Sequence, residues 1–94
     1  MYIDDFIWLP NIVEKLEVKH HLIQEEVEAV FFRQPKYRLV ESGYTPGEDV
    51  YSAWGKTDAN RYLIVFFIYK RPNRALIISA RDMDKKERKR YERK

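Results

Sequence analysis

Tyr62-Leu63-Ile64-Val65-Phe66-Phe67-Ile68-Tyr69 is apolar at odd and even positions alike, which predicts a strand in the middle of a sheet covered on both faces. Arg71-Pro72-Asn73-Arg74 follows as a tight turn, and Ala75 to Arg81 reads as the next strand. Upstream, Thr57-Asp58-Ala59-Asn60 has the composition of a hairpin loop, with Asn60 suited to a left-handed backbone. Before it, Asp49 to Lys56 reads as a strand. The cluster Ser42-Gly43-Tyr44-Thr45-Pro46-Gly47 interrupts the chain, and from Lys36 onward Tyr37, Leu39 and Glu41 alternate with Arg38, Val40 and Ser42. Four consecutive strands with short connections are expected to pair antiparallel.

The first third has the other period. Pro10 suits the first turn of a helix, and Ile12, Val13, Leu16 and Val18 place an apolar stripe on one side as far as Lys19. His20-His21 reads as the break. A second helix is expected from Ile23, with Glu25 and Glu26 at its positive end and Val27, Val30 and Phe31 on its buried face, ending at Gln34-Pro35. At the other terminus Asp84 has the side chain of an N-cap, and a last helix is predicted to run to Arg93. The expected fold is α+β: two N-terminal helices, a four-stranded, mainly antiparallel sheet and a C-terminal helix, all in one domain, 1–94.

A chain of 94 residues with 45% hydrophobic and 15% aromatic side chains is rich enough for a packed core. Its lack of cysteine excludes disulfides and thiolate metal sites and fits a reducing compartment. No apolar run reaches the roughly 20 residues that cross a bilayer, and Asp4 and Asp5 stand where a signal peptide carries positive charge. These features predict a cytoplasmic protein with no membrane partner.

The charge is uneven. Residues 85–94 hold seven Lys or Arg against two Glu, a balance of +5 in a chain of +3, which leaves −2 on the first 84 residues. A cationic end on a near-neutral body points to a polyanion or an acidic protein as partner. Met83 and Tyr91 are the apolar anchors at helical spacing in this segment, so charge dominates it. The aromatics Trp8, Tyr44, Tyr51, Trp54, Tyr62, Tyr69 and Tyr91 are able to stack on bases, although a small sheet also needs large side chains to cover it.

Motifs for other chemistries are missing. Adjacent histidines point different ways, so His20-His21 makes a poor metal pair and fits a helix C-terminus, or general acid–base work. Gly43, Gly47 and Gly55 lack phosphate-loop spacing, and Ser42, Ser52 and Ser79 sit in no nucleophile elbow. No metal or other cofactor is expected. Strict alternation puts Ala75, Ile77, Ser79 and Arg81 on one face, so that a guanidinium emerges at the end of a buried strand. Arg81 then either bridges to Asp82, Asp84 or Glu87 or clamps a phosphate.

Several motifs in order resemble one family. Phe6-x-Trp8, Lys19-His20, Glu25-Glu26-Val27-x-x-Val30-Phe31, Gly47-Glu48-Asp49, Gly55-Lys56-Thr57 and Arg61-Tyr62-Leu63-x-Val65 lead to Ile78-Ser79-Ala80-Arg81 and then Glu87-Arg88-x-x-Tyr91-Glu92. Together they resemble the BrnT toxins. The resemblance implies a RelE-like fold and a metal-independent ribonuclease toxin of a type II toxin–antitoxin system. The implied partners are RNA and a ribbon-helix-helix antitoxin, with DNA bound only through the complex. The chain departs from the family pattern at Leu9-Pro10, where Trp8 is usually followed by Asp-Glu, at His21 in place of a glycine, and at Leu16 in place of an asparagine.

Metal-free RNA cleavage needs a group to take the 2′-hydroxyl proton, cations around the phosphorane and an acid for the leaving 5′-oxygen. On the resemblance, Arg81 and Arg61 are the expected phosphate ligands, His20 the acid or base, and Tyr91 a proton donor or stacking group. Lys19, Lys56, Lys85 and Arg88 are the expected RNA contacts. The competing reading is a non-catalytic RNA- or protein-binding module with the same fold.

Overall fold

The computed structural model describes residues 1–93. Strand β1 (Asp5–Ile7) precedes helices α1 (Pro10–His20) and α2 (Gln24–Phe31). Strands β2 (Lys36–Glu41), β3 (Val50–Lys56), β4 (Tyr62–Lys70) and β5 (Arg74–Asp82) follow, and helix α3 (Lys85–Glu92) closes the chain. The sheet order is β1-β5-β4-β3-β2, with β1 parallel to β5 and every other pair antiparallel. This is the expected α+β arrangement, consistent with RelE-like topology, but with five strands in place of four. The extra one, β1, pairs only Asp5, Phe6 and Ile7 with Arg74, Ala75 and Leu76, too short a run for a period of two to show.

Strand β4 lies between β3 and β5 and is covered on both sides. Leu63, Val65 and Phe67 face α1 and α2 and pack with Leu16, Leu22, Val27, Val30 and Phe31, while Ile64 faces the other way and joins Trp54 and Met83. Phe67, fully buried, is the hub of the larger cluster. Its ring centroid lies 5.3 Å from Phe31, 5.9 Å from Tyr37 and 5.9 Å from Tyr51. Gly55 allows close approach at this layer, since a Cβ there would sit 3.0 Å from a Val30 methyl.

The alternation expected for β5 does not hold along its whole length. Phe66 pairs with Ser79 but Phe67 pairs with Ile77, so Ile78 is one residue too many. Ala75, Ile77 and Ala80 all face the helices and are fully buried. A bulge of one residue reverses the faces beyond it. Ser79 and Arg81 are thereby separated from Ala75 and Ile77 and turned to the side of α3, where Arg81 lies over the Phe66 ring at 5.8 Å.

The helix ends follow their sequence signals. In α1, Pro10 occupies the first turn and His21 the left-handed C-terminal position at φ 52°. The His21 N–H donates to the Glu17 carbonyl and the Leu22 N–H to that of Leu16, a Schellman-type end that seats both leucines in the core. Asp84 caps α3 by accepting from the Glu87 N–H at 2.8 Å, while the Glu87 carboxylate accepts from the Asp84 N–H at 2.9 Å.

Arg61 ties the corner where these elements meet. Its guanidinium donates to Asp82 through Nε (2.7 Å) and Nη2 (2.9 Å), to the carbonyls of His20 (2.7 Å) and His21 (2.9 Å), and to Glu26 (3.4 Å). All five of its N–H groups are thus occupied. A cation on the last carbonyls of α1 also opposes the helix dipole. Hydrogen bonding to Asp82 raises the arginine pKa, and the same contact lowers that of Asp82.

Phe67→Ala should cost roughly 3–5 kcal/mol in urea unfolding, and a loss under 1 kcal/mol would show that the cluster is not centred there. Arg61→Ala should cost about 2 kcal/mol, since it leaves two carbonyls and two carboxylates without a donor. Arg61→Lys should recover less than half of that, because an ammonium cannot reproduce the planar fork.

Candidate functional site

Among the described residues, α3 covers one end of the sheet face opposite α1 and α2 and the rest of that face is open. Two cross-strand rows cross it. One runs Lys36, Trp54, Ile64, Arg81 from β2 to β5, and its neighbour runs Arg38, Ser52, Phe66, Ser79. With strands spaced about 4.8 Å apart, the cations at the two ends of the first row are separated by roughly 14 Å of aromatic and aliphatic floor. The bulge in β5 is what places Arg81 in this row.

The rows form the floor of two adjoining concavities. One, of about 270 Å³, holds Arg38, Ser52, Trp54, Phe66 and Arg81 beside the exposed Leu39 and Val40 of the edge strand. The other, of about 300 Å³, lies against α3 and adds Lys36, Tyr37, Arg90, Tyr91 and Arg93. Arg38 and Trp54 line both. The indole N–H of Trp54 donates to Ser52 Oγ at 2.9 Å, which fixes the ring, and the Arg38 guanidinium lies 5.7 Å from its centre. This is a basic groove whose floor is packed by the buried Trp54 and Ile64, with the half-buried rings of Phe66 and Tyr91 left as the surfaces on which a base could stack beside the cations.

Arg81 is held by Glu87 through two parallel bonds, Nη1 to Oε1 at 2.7 Å and Nη2 to Oε2 at 2.8 Å. Nη1 also reaches the Asp82 carbonyl at 3.3 Å. Nε and the second Nη2 proton have no partner among the described residues, and the side chain remains 41% exposed against 19% for Glu87. The arginine donors hold the Glu87 carboxyl down to about 2. Glu87 is therefore a fixed anion and a weak base, an anchor for Arg81.

Tyr91 lies one turn further along the same face of α3 as Glu87. Its ring meets Tyr62 edge-on at 6.0 Å, and the Lys36 ammonium lies 4.9 Å from its centre. The same ammonium donates to the carbonyls of Tyr91 and, at 2.9 Å, Arg93, satisfying the C-terminus of α3. Burial raises the Tyr91 pKa, so the phenol keeps its proton at neutral pH.

The eight residues singled out from the sequence fall into separate places. Arg81 and Tyr91 line adjoining parts of the groove. His20 and Arg61 meet instead at the α1 corner, where the His20 carbonyl accepts from Arg61 and its imidazole lies near enough to Asp82 to lower that carboxyl further. Lys19 is exposed on the last turn of α1 and Lys85 on the first turn of α3. Lys56 and Arg88 converge on Tyr62, 5.4 Å and 4.0 Å from its ring centre, while the Tyr62 hydroxyl donates to Glu92 at 3.1 Å. Trp8 is tied to the core side by an indole N–H to Glu28 bond of 2.8 Å. Among the described residues no three His, Asp or Glu side chains gather into a metal-ligand set, and no helix is long and apolar enough to cross a membrane.

Lys36, Arg38, Phe66, Arg90 and Arg93 were not singled out by sequence reasoning. For Arg38 a signal existed: it alternates with the inward Tyr37, so it belongs on the open face. Its alignment with Ser52, Phe66 and Ser79 depends on strand register, which no local pattern reveals.

No curated protein matches the chain. A protein-family model described as the ribonuclease toxin BrnT of type II toxin–antitoxin systems matches residues 8–87. That span runs from Trp8 through both cross-strand rows to Glu87, the carboxylate that holds Arg81. The motifs, the mixed five-stranded sheet and this match agree, and the chain belongs to the BrnT toxin family.

Proposed function

We propose that the chain is a metal-independent endoribonuclease toxin that cleaves RNA in the groove between Arg81 and α3 and is neutralised by a cognate ribbon-helix-helix antitoxin. The observation that carries this reading is the first cross-strand row, in which Lys36 and Arg81 bracket the buried Trp54 and Ile64 on the face away from α1 and α2. RNA brings its own nucleophile. Attack of the 2′-oxygen on phosphorus forms a cyclic phosphate and the bond to the 5′-oxygen breaks, while the 2′-hydroxyl proton passes to solvent water and another proton is delivered to the 5′-oxygen. The protein then has to orient the strand and stabilise the phosphorane charge.

Arg81 offers the two N–H groups that have no partner among the described residues to a non-bridging phosphate oxygen, while Glu87 holds the rest of the fork still. Arg38 supplies the second cation across the Trp54 floor. The Tyr91 phenol, protonated at neutral pH, is the donor to the leaving oxygen. His20 and Arg61 are assigned a supporting part. All five Arg61 donors are engaged, so it secures the end of β5 from behind while Arg81 works in front. Lys56 and Arg88 add positive potential beside Tyr62.

A second reading is favoured by the same ion pair. An arginine already bridged by a carboxylate is partly neutralised, which suits a groove that binds RNA or protein without cutting. Induced expression with and without the neighbouring antitoxin frame separates the two, together with end analysis of RNA incubated with purified protein. The ribonuclease reading expects growth arrest relieved by the antitoxin, cleaved RNA, and a rate loss on the order of 10²–10³ for Arg81→Ala. Normal growth and intact RNA overturn it, and retention of uncut RNA that weakens with salt supports the binding module.

The Arg81–Glu87 pair also has a pH signature. The Glu87 carboxyl is held at about 2 when folded and has an ordinary value of 4.5. Its contribution is therefore complete above about pH 4.5 and is lost as pH falls through about 2. Glu87→Gln should lower stability by about 1 kcal/mol at neutral pH, given the exposure of Arg81. The gap to the unmodified protein should close as urea unfolding is repeated at lower pH. A gap that stays constant down to about pH 2 would show that the carboxylate charge is not what stabilises the pair.

A further inference from the structure

Both carboxylates of α3 are turned toward the sheet, Glu87 to Arg81 and Glu92 to the Tyr62 hydroxyl. Glu92 stays exposed at that bond, and the other exposed side chains of α3 are all basic. Lys86, Lys89, Arg90 and Arg93 surround a shallow concavity of about 320 Å³ with no acidic residue in its lining, and none of the four makes an ion pair among the described residues. They fall at i, i+3, i+4 and i+7, so Lys86, the Lys89–Arg90 pair and Arg93 form three levels about one turn, roughly 5.4 Å, apart along a single stripe. Lys89, Arg90 and Arg93 also lie beyond residues 8–87, the span of the family match.

This stripe is continuous with the groove. Arg90 and Arg93 line both the outer concavity and the one that contains Arg38, Trp54 and Tyr91. A cationic track thus leads from Arg81 across the sheet, past Tyr91 and onto the outer face of α3. Between sheet floor and outer face it climbs about one helix diameter, roughly 10 Å. A flexible single strand follows such a step and a stiff duplex does not.

We propose that the outer face of α3 is an extended subsite for the backbone of single-stranded RNA, holding phosphates that flank the one in the groove. The proposal rests on the RNA reading given above and deepens it. The substrate class becomes a single strand long enough to span both concavities, and α3 sets how tightly that strand is held while Arg81 acts on the scissile phosphate. A chain of regularly spaced negative charges matches the stripe better than a lone anion, and its continuity with the rings of the groove favours a ligand that also carries bases.

The test uses the full-length protein and fluorescence anisotropy with 2′-O-methyl RNA, which binds but cannot be cut. Lys86 and Lys89 are exposed on α3, so Lys86→Ala with Lys89→Ala should leave folding intact, checked by an unchanged unfolding midpoint. For a single-stranded 12-mer, the slope of log affinity against log salt should become shallower by about 1.4, two phosphates at about 0.7 each. A tetramer, which fills the groove alone, should bind both proteins equally, and a 12-base-pair duplex should bind weakly to both. An unchanged slope for the 12-mer overturns the subsite, as does a double variant that loses affinity only for the antitoxin and so marks α3 as a protein-docking face. A protein that binds the 12-mer with the expected slope but never cleaves natural RNA overturns the ribonuclease reading and leaves the subsite standing.

Discussion

One extra residue in β5 organises the molecule. Side chains alternate along a strand, so inserting Ile78 between the pairs Phe67–Ile77 and Phe66–Ser79 exchanges the two faces for everything that follows. Ala80 drops into the helix-facing core and Arg81 turns to the open side. Asp82, next in line, turns back toward α1 and meets Arg61. Two adjacent residues therefore serve ion pairs on opposite faces of the same sheet. One network secures the strand end and the other presents a cation.

The two faces are built to different standards. Behind the sheet, α1 and α2 bury Leu16, Val27, Val30 and Phe31 around Phe67, and apolar burial of that extent dominates stability. In front, α3 contributes no fully buried residue. It is held by Met83 and Tyr91, by the reciprocal Asp84–Glu87 cap, by the Lys36 ammonium on its last carbonyls and by the Arg81–Glu87 pair. Partly exposed polar contacts of this kind are individually weak. Helix α3, which frames the groove, is accordingly held with little apolar burial of its own.

Much of this was legible in the sequence, for identifiable reasons. The apolar run at Tyr62–Tyr69 was most simply a strand covered on both sides, and the structure puts it at the centre. Pro10, Asp84 and Asn60 stand where helix start, cap and left-handed turn residue were expected. Local chemistry determines such features, so local sequence reveals them. Strand β1 escaped because three residues carry no period, and the Ile78 bulge escaped because β5 keeps its strand composition through it. The groove was harder. Arg81 and Tyr91 were visible as residue types, but the rows that join Lys36 to Trp54 and Arg81 depend on register across four strands. Arg61 shows the same limit from the other side: it was as good a phosphate ligand as Arg81 by composition, and its five occupied donors became visible only once α1, α2 and β5 were brought around it.

The basic C-terminus gains a definite meaning from where its two carboxylates go. Without partners on the sheet, Glu87 and Glu92 would have paired with Lys and Arg one helical turn away and left a mixed, weakly charged surface. Glu87 is instead drawn inward by Arg81, and Glu92, though exposed, is held aside by the Tyr62 hydroxyl. Each contact does two things at once. It fixes α3 against the sheet, and it turns a negative charge away from the stripe of cations, so the same bonds that dock the helix leave that stripe positive. Docking of α3 and attraction of a polyanion are for that reason coupled through Glu87. Release of that carboxylate would free the Arg81 fork, loosen the wall of the groove and return a negative charge to the stripe of cations beside it.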